Sequence, residues 1–178
     1  MSTNYSFRTG GKVSTPIQHI YSSKSPFYLE SGKNLSQLSL AYQTWGTRNS
    51  DQSNVVWVCH ALTGNHRVQE WWGDLFGEGK CFDPANDFIV AVNVPGSAYG
   101  STGPLSEELK PEERFDSFPV LTIRDMVQGL ELVRKELGIE RIRVLIGASL
   151  GGQQALEWAL LIPEKIDYLI PIATNLKH

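Results

Sequence analysis

The sequence predicts an α/β fold: a mostly parallel sheet with helices on both faces. Three observations predict it. Continuously apolar runs of strand length recur at Asn54–Cys59, Asp87–Val94, Ile142–Ile146 and Tyr168–Ile172, as befits strands covered on both faces. Helical periodicity separates the later runs, and alternation of this kind implies parallel strands with crossover helices. The third run leads into Gly147-Ala148-Ser149-Leu150-Gly151-Gly152 with a helical pattern directly behind it, which is a strand, a sharp turn and a helix in immediate succession.

Taken in order, residues 1–25 carry Ser, Thr and Gly with little periodicity and read as a loosely ordered lead-in. Phe27–Glu30, the turn Ser31-Gly32-Lys33-Asn34, and Leu35–Thr44 read as an antiparallel pair on one side of the sheet. Leu38, Leu40 and Tyr42 alternate there with Gln37, Ser39 and Gln43. A short helix is expected over Val68–Phe76. The clearest helix is Thr122–Leu137, with an apolar stripe of Ile123, Met126, Val127, Leu130, Val133 and Leu137. Thr122 and Asp125 have capping spacing, and Gly138 ends the helix. The helix after Ser149 runs to Leu161 or Ile162 before Pro163, with Ala155, Leu156, Ala159 and Leu160 expected on its inner face. Pro95–Phe118 is the one long irregular stretch, and loops of that length in a compact domain are usually functional.

The 178 residues suit one domain. A net charge of -3 carries no nucleic-acid signal. No apolar run reaches the length of a membrane-spanning helix, and Met1–Lys12 has no secretory core. Cys59 and Cys81 form no metal-ligand spacing with the four histidines. These features lead to the expectation of a cytoplasmic protein with no metal, no nucleic acid and no membrane partner.

Gly-x-Ser-x-Gly between a strand and a helix is the spacing of a nucleophile elbow, with Ser149 at the apex. Gly147 and Gly151 stand where a side chain would press on the strand or the helix. The start of a helix offers free N–H groups to a developing negative charge. Leu150 N–H, just after the serine, is one expected oxyanion donor. His60-Ala61-Leu62-Thr63-Gly64 follows the first buried strand, where the second donor belongs, and by position that donor is Leu62 N–H. His60 precedes the serine, whereas the base of this fold order follows it, so His60 reads as a buried, loop-shaping residue. His66 reads as a loop residue, and His19, in the lead-in, receives no role. Pro95–Pro104 is rich in glycine but lacks the Gly-Lys-Ser/Thr ending of a phosphate loop, and reads as a tight loop beside the pocket. Trp71-Trp72 suits either a substrate tunnel or core packing. Glu107-Glu108 and Glu112-Glu113 read as a solvated face.

Together, His60-Ala61-Leu62-Thr63-Gly64, Trp71-Trp72-Gly73, Tyr99-Gly100-Ser101-Thr102-Gly103-Pro104, Phe118–Met126 and Gly147–Ala159 resemble the homoserine O-acyltransferase family of the α/β-hydrolase superfamily. The likeness runs from about residue 25 to 175. It departs at Ala148, Leu150 and Gln153, where the family usually has Gly, Met and Met, and again at Pro95–Ala98. The resemblance implies the N-terminal portion of an α/β-hydrolase domain over residues 26–178, apparently truncated after the sixth of eight expected strands. It implies ping-pong transfer from acetyl-CoA or succinyl-CoA, through acylated Ser149, to the γ-hydroxyl of L-homoserine, in methionine biosynthesis. No bound cofactor is implied. Thr63 would help to bind substrate, and the full-length protein would be a homodimer.

In the resembled family the triad acid and base follow the serine on later strands. Here only Glu157, Glu164, Asp167 and His178 follow it, and none suits a triad position. The 178 residues alone are therefore expected to be nearly inactive, with an unprotected sheet edge at Tyr168–Ile172. Two rival readings are a serine esterase of the same fold and an inactive fragment.

Overall fold

Residues 18–176 are described by a computed structural model. Its strands are β1 (Gln18–Ser22), β2 (Phe27–Tyr28), β3 (Asn34–Leu35), β4 (Ser39–Trp45), β5 (Val55–Cys59), β6 (Phe88–Val92), β7 (Ile142–Ala148) and β8 (Ile166–Ile172). Its helices are α1 (Val68–Trp71), α2 (Ile123–Glu136) and α3 (Leu150–Leu161). Six strands form one sheet in the order β1-β4-β6-β5-β7-β8. β4 is antiparallel to both of its neighbours, and β6, β5, β7 and β8 are mutually parallel.

Side chains alternate across a strand, so each buried strand feeds two cores. Val55, Trp57, Cys59, Val90, Val92 and Leu145 pack with α2 and α3 on one face. Val56, Val58, Ile89, Ala91 and Ile146 pack on the other against Val68 of α1 and the aromatic segment that follows it. This is why the sequence shows continuous apolar runs at β5 and β6 rather than alternation. The expected α/β sheet with helices on both faces is present.

Four local expectations are corrected. The lead-in assigned to residues 1–25 contains β1, whose five residues pair with Ser39–Gln43; the expectation for residues 1–17 lies outside the described residues. β1 is an edge strand with Ile20 about half exposed, so its own pattern carries little signal and its partner creates it. The expected hairpin is divided: β2 and β3 form a separate small sheet, and β4 joins the main sheet after a break at Ser36–Leu38. The helix expected over 68–76 is one α-turn, followed by a 3-10 turn from Gly73 to Leu75. On α3, Leu160 points outward while Ala155 and Trp158 are buried. That helix is apolar nearly all round, so its phase is set by packing: Gly151 and Gly152 must face the sheet, and 155 and 158 lie on the same side.

α2 follows expectation closely. Thr122 Oγ1 accepts from Asp125 N–H at 3.1 Å, and Asp125 Oδ2 accepts from Thr122 N–H at 2.9 Å. Asp125 is fully buried, because its other oxygen accepts from Glu30 N–H and ties the end of the small sheet to the helix. β8 lies at the edge of the sheet, paired to β7 alone among the described residues.

Candidate functional site

Ser149 sits where β7 ends and α3 begins, at φ 54° and ψ -121°. Such a conformation costs a non-glycine residue roughly 1–3 kcal/mol and persists only where its surroundings enforce it. Those surroundings are three glycines. A Cβ on Gly147 would lie 2.1 Å from Gly151 O; one on Gly151 would lie 2.2 Å from Cys59 O. One on Gly152 would lie 2.6 Å from Thr174 Cβ. The first two contacts press α3 against its own preceding strand and against the end of β5. The third admits the chain that follows β8. The strained turn leaves the Ser149 side chain exposed at the carboxyl edge of the sheet.

β5 is the direct neighbour of β7, with Cys59 in register with Gly147. The 60–66 loop therefore begins beside the elbow. Gln154 of α3, itself fully buried, donates to His60 O at 3.3 Å and fastens the loop to the helix. Leu62 and Thr63 lie exposed on this loop. Leu150 N–H and Leu62 N–H, the two expected oxyanion donors, have no backbone acceptor among the described residues.

His60 is buried, and both ring nitrogens are committed. Val94 N–H donates to Nε2 at 3.1 Å, so Nδ1 carries the proton and donates to Ala61 O at 2.8 Å. Burial holds its pKa below the usual histidine range. A neutral, fully engaged imidazole shapes the loop and cannot take a proton from Ser149. Asn93 is the residue that sequence reasoning missed. Its Oδ1 accepts from His66 N–H at 2.7 Å, and its Nδ2 donates to Tyr99 O. With His60 it cross-links the 60–66 loop to the glycine-rich loop after β6. A buried asparagine at the end of an apolar run was the only available signal. His66 is a loop residue, as expected, and is buried; its burial likewise lowers its pKa. His19 stacks on Tyr42 at 5.1 Å.

The remaining candidates are placed away from the serine. Asp167, near the start of β8, holds Arg141 at 2.8 Å, at the amino end of the sheet. Glu157 is engaged with Arg124 of α2. Glu164 lies in the 3-10 turn that precedes β8. His178 lies outside the described residues. Trp72 stacks on Phe82 at 5.6 Å, and Trp71 Nε1 donates to Asn65 O at 3.0 Å, so the pair packs and props the loop. Glu113 is no free surface charge, since it accepts from Ser36 N–H. Cys59 is buried, which pushes its thiol pKa up. Among the described residues no cluster of His, Cys, Asp and Glu has the makings of a metal site, and no helix is long and apolar enough to cross a membrane.

Residues 54–178 match the family model described as alpha/beta hydrolase fold. A curated relative from Chlorobaculum parvum, a homoserine O-acetyltransferase, is 51% identical over 159 residues, which is 89% of this chain and 45% of the relative. The chain spans about half the length of the curated relatives it matches. Among solved structures, an acetylester hydrolase from Corynebacterium glutamicum is similar with a TM-score of 0.82 and 29% identity, over 91% of this chain and 45% of that one. A homoserine O-acetyltransferase from Bacillus anthracis is similar with a TM-score of 0.77 and 27% identity, over 91% and 48%.

Proposed function

The chain belongs to the α/β-hydrolase fold family, and on that premise we propose that it carries the nucleophile and the oxyanion donors of a homoserine O-acyltransferase acting in methionine biosynthesis. The observation that carries this reading is Ser149, held at positive φ between a strand and a helix by glycines that cannot accept a side chain. Identity of 51% to a protein named as a homoserine O-acetyltransferase supports homoserine as acceptor and acetyl-CoA as donor.

In the proposed reaction Ser149 Oγ attacks the thioester carbonyl and the C–S bond breaks. CoA leaves as the thiol, taking the serine proton through a general base. The γ-hydroxyl of homoserine then attacks the acyl-serine ester, the Oγ–C bond breaks, and Ser149 regains a proton. Leu150 N–H and Leu62 N–H bind the oxyanion in both steps, where each donor is worth roughly a hundred- to a thousand-fold in rate. Thr63, exposed beside Leu62, is assigned a substrate contact in this proposal. The general base and its orienting acid are assigned to polypeptide outside the described residues.

The test uses the polypeptide as its source produces it, supplied with acetyl-CoA. One equivalent of CoA released without homoserine, continuous release with it, and loss of both in Ser149→Ala support the reading. Turnover in Ser149→Ala overturns it. A second reading, a serine esterase, is favoured by the acetylester hydrolase structure, whose TM-score exceeds that of the acetyltransferase. It requires continuous CoA release at a rate indifferent to homoserine.

A further inference from the structure

The chain after β8 turns back on the elbow. Ala173, at φ 45°, makes the turn. Ile172 O accepts from Ser149 N–H at 3.0 Å, and Thr174 Oγ1 donates to Ser149 O at 2.9 Å. Gln153 Nε2 donates to Asn175 Oδ1 at 2.8 Å. Gly152 is bare because Thr174 occupies the space of its side chain. Two segments, each with a non-glycine residue at positive φ (Ser149 and Ala173), are thus joined by three hydrogen bonds and one close contact. A strained segment held against another strained segment is seldom idle.

Ser149 C=O and Leu150 N–H belong to one peptide plane. The carbonyl oxygen already accepts from Gly152 N–H at 2.9 Å and Gln153 N–H at 3.2 Å; a third donor, from outside the helix, adds to the restraint on that plane and so on the aim of the N–H on its other edge. It also polarises the amide, since hydrogen bonds in a chain strengthen one another by perhaps 10–30%. We propose that Thr174 is a positioning residue which, through the Ser149 carbonyl, aims and strengthens the Leu150 N–H as an oxyanion donor. The inference rests on the reading of Ser149 as nucleophile. It explains Gly152, which the elbow motif itself does not require, and it gives the residues after β8 a part in the chemistry without contact with substrate.

Thr174→Val replaces the hydroxyl with a methyl group and keeps the Cβ and Cγ2 methyl that press on Gly152, whereas Thr174→Ser keeps the hydroxyl. The native polypeptide and each variant are acetylated by p-nitrophenyl acetate carrying carbon-13 at its carbonyl. Ser149 Oγ bonds to that carbon, p-nitrophenolate leaves, and the serine proton passes to solvent. Rapid-mixing infrared spectroscopy then reads the acyl carbonyl band, which falls in wavenumber as oxyanion donors grip it. Thr174→Val is expected to acylate about tenfold more slowly at unchanged KM, a fraction of the loss for removing a whole donor. Its carbonyl band is expected at higher wavenumber, and Thr174→Ser is expected to return both readouts to the wild-type values. A merely structural role moves the melting temperature but not the band. An unshifted band in Thr174→Val overturns the proposal while leaving the nucleophile in place. If wild-type Ser149 is not acetylated at all, the reading of Ser149 falls and the proposal with it. Thr174→Ala provides the same readout if the valine variant does not fold.

Discussion

Gly151→Ala sets a methyl group where the Cys59 carbonyl already sits. The new Cβ would lie 2.2 Å from Cys59 O, 2.8 Å from Cys59 C and 2.9 Å from His60 O. The first of these is about 1 Å short of ordinary van der Waals contact. Overpacking a side chain usually costs about 1–3 kcal/mol, because neighbouring side chains move aside. Here both partners are backbone: the end of β5, locked in register with β7, and the first turn of α3. The cost is therefore put at the top of that range, about 3 kcal/mol. For a domain of this size it lowers Tm by roughly 6–12 °C. Gly73→Ala is the control, since nothing lies within 4 Å of its Cβ, and it should stay within about 0.5 kcal/mol of wild type. Gly152→Ala separates backbone from side-chain clashes. Its obstacle is the Thr174 side chain, so Thr174→Gly should rescue Gly152→Ala but not Gly151→Ala. Thermal unfolding by circular dichroism measures all of these variants. A Gly151→Ala protein that melts within about 2 °C of wild type would refute the claim that steric contact with β5 dictates the second glycine of the motif.

Three further outcomes are expected. Ser149→Gly relieves the positive φ and should stabilise the fold by about 1 kcal/mol in urea unfolding while abolishing acylation; a destabilised variant would show that the turn is not strained. The buried His60 and His66 have folded-state pKa values below the usual range, with burial as the main cause. The unfolded chain therefore takes up protons first: stability is complete above about pH 6.5 and is lost as pH falls through the folded values, at up to about 1.4 kcal/mol per pH unit for each histidine. An unchanged urea midpoint between pH 7.5 and 5.5 would contradict this. Finally, Tyr168, Ile170 and Ile172 are exposed on the free side of the sheet, and Ile170→Lys should suppress self-association of the 178-residue chain in sedimentation velocity; an unaffected distribution would place the association elsewhere.

The elbow was legible because its causes are local. Gly147, Ser149 and Gly151 lie within five residues, and the clash that excludes a side chain at Gly147 is with Gly151 itself. The capping pair Thr122–Asp125 was legible for the same reason. β1 was not, because an exposed edge strand acquires its identity from β4, about twenty residues away. The α3 face was misjudged because Leu156, Ala159 and Leu160 are as apolar as the residues that are buried. Asn93 was passed over because a single polar residue after an apolar run has no period to mark it.

What the sequence by itself determined is therefore short-range: where strands are buried on both faces, where the serine turns, where α2 begins. Only the tertiary structure decided the strand order β1-β4-β6-β5-β7-β8, the protonated nitrogen of His60, the bridge through Asn93, and the return of Thr174 to the Ser149 carbonyl. The hydrogen bonds Val94–His60, His66–Asn93 and Thr174–Ser149 each join residues 25 or more positions apart. Turns and buried runs follow from sterics and burial between near neighbours. A hydrogen bond across such a separation exists only once the sheet has brought its two ends together.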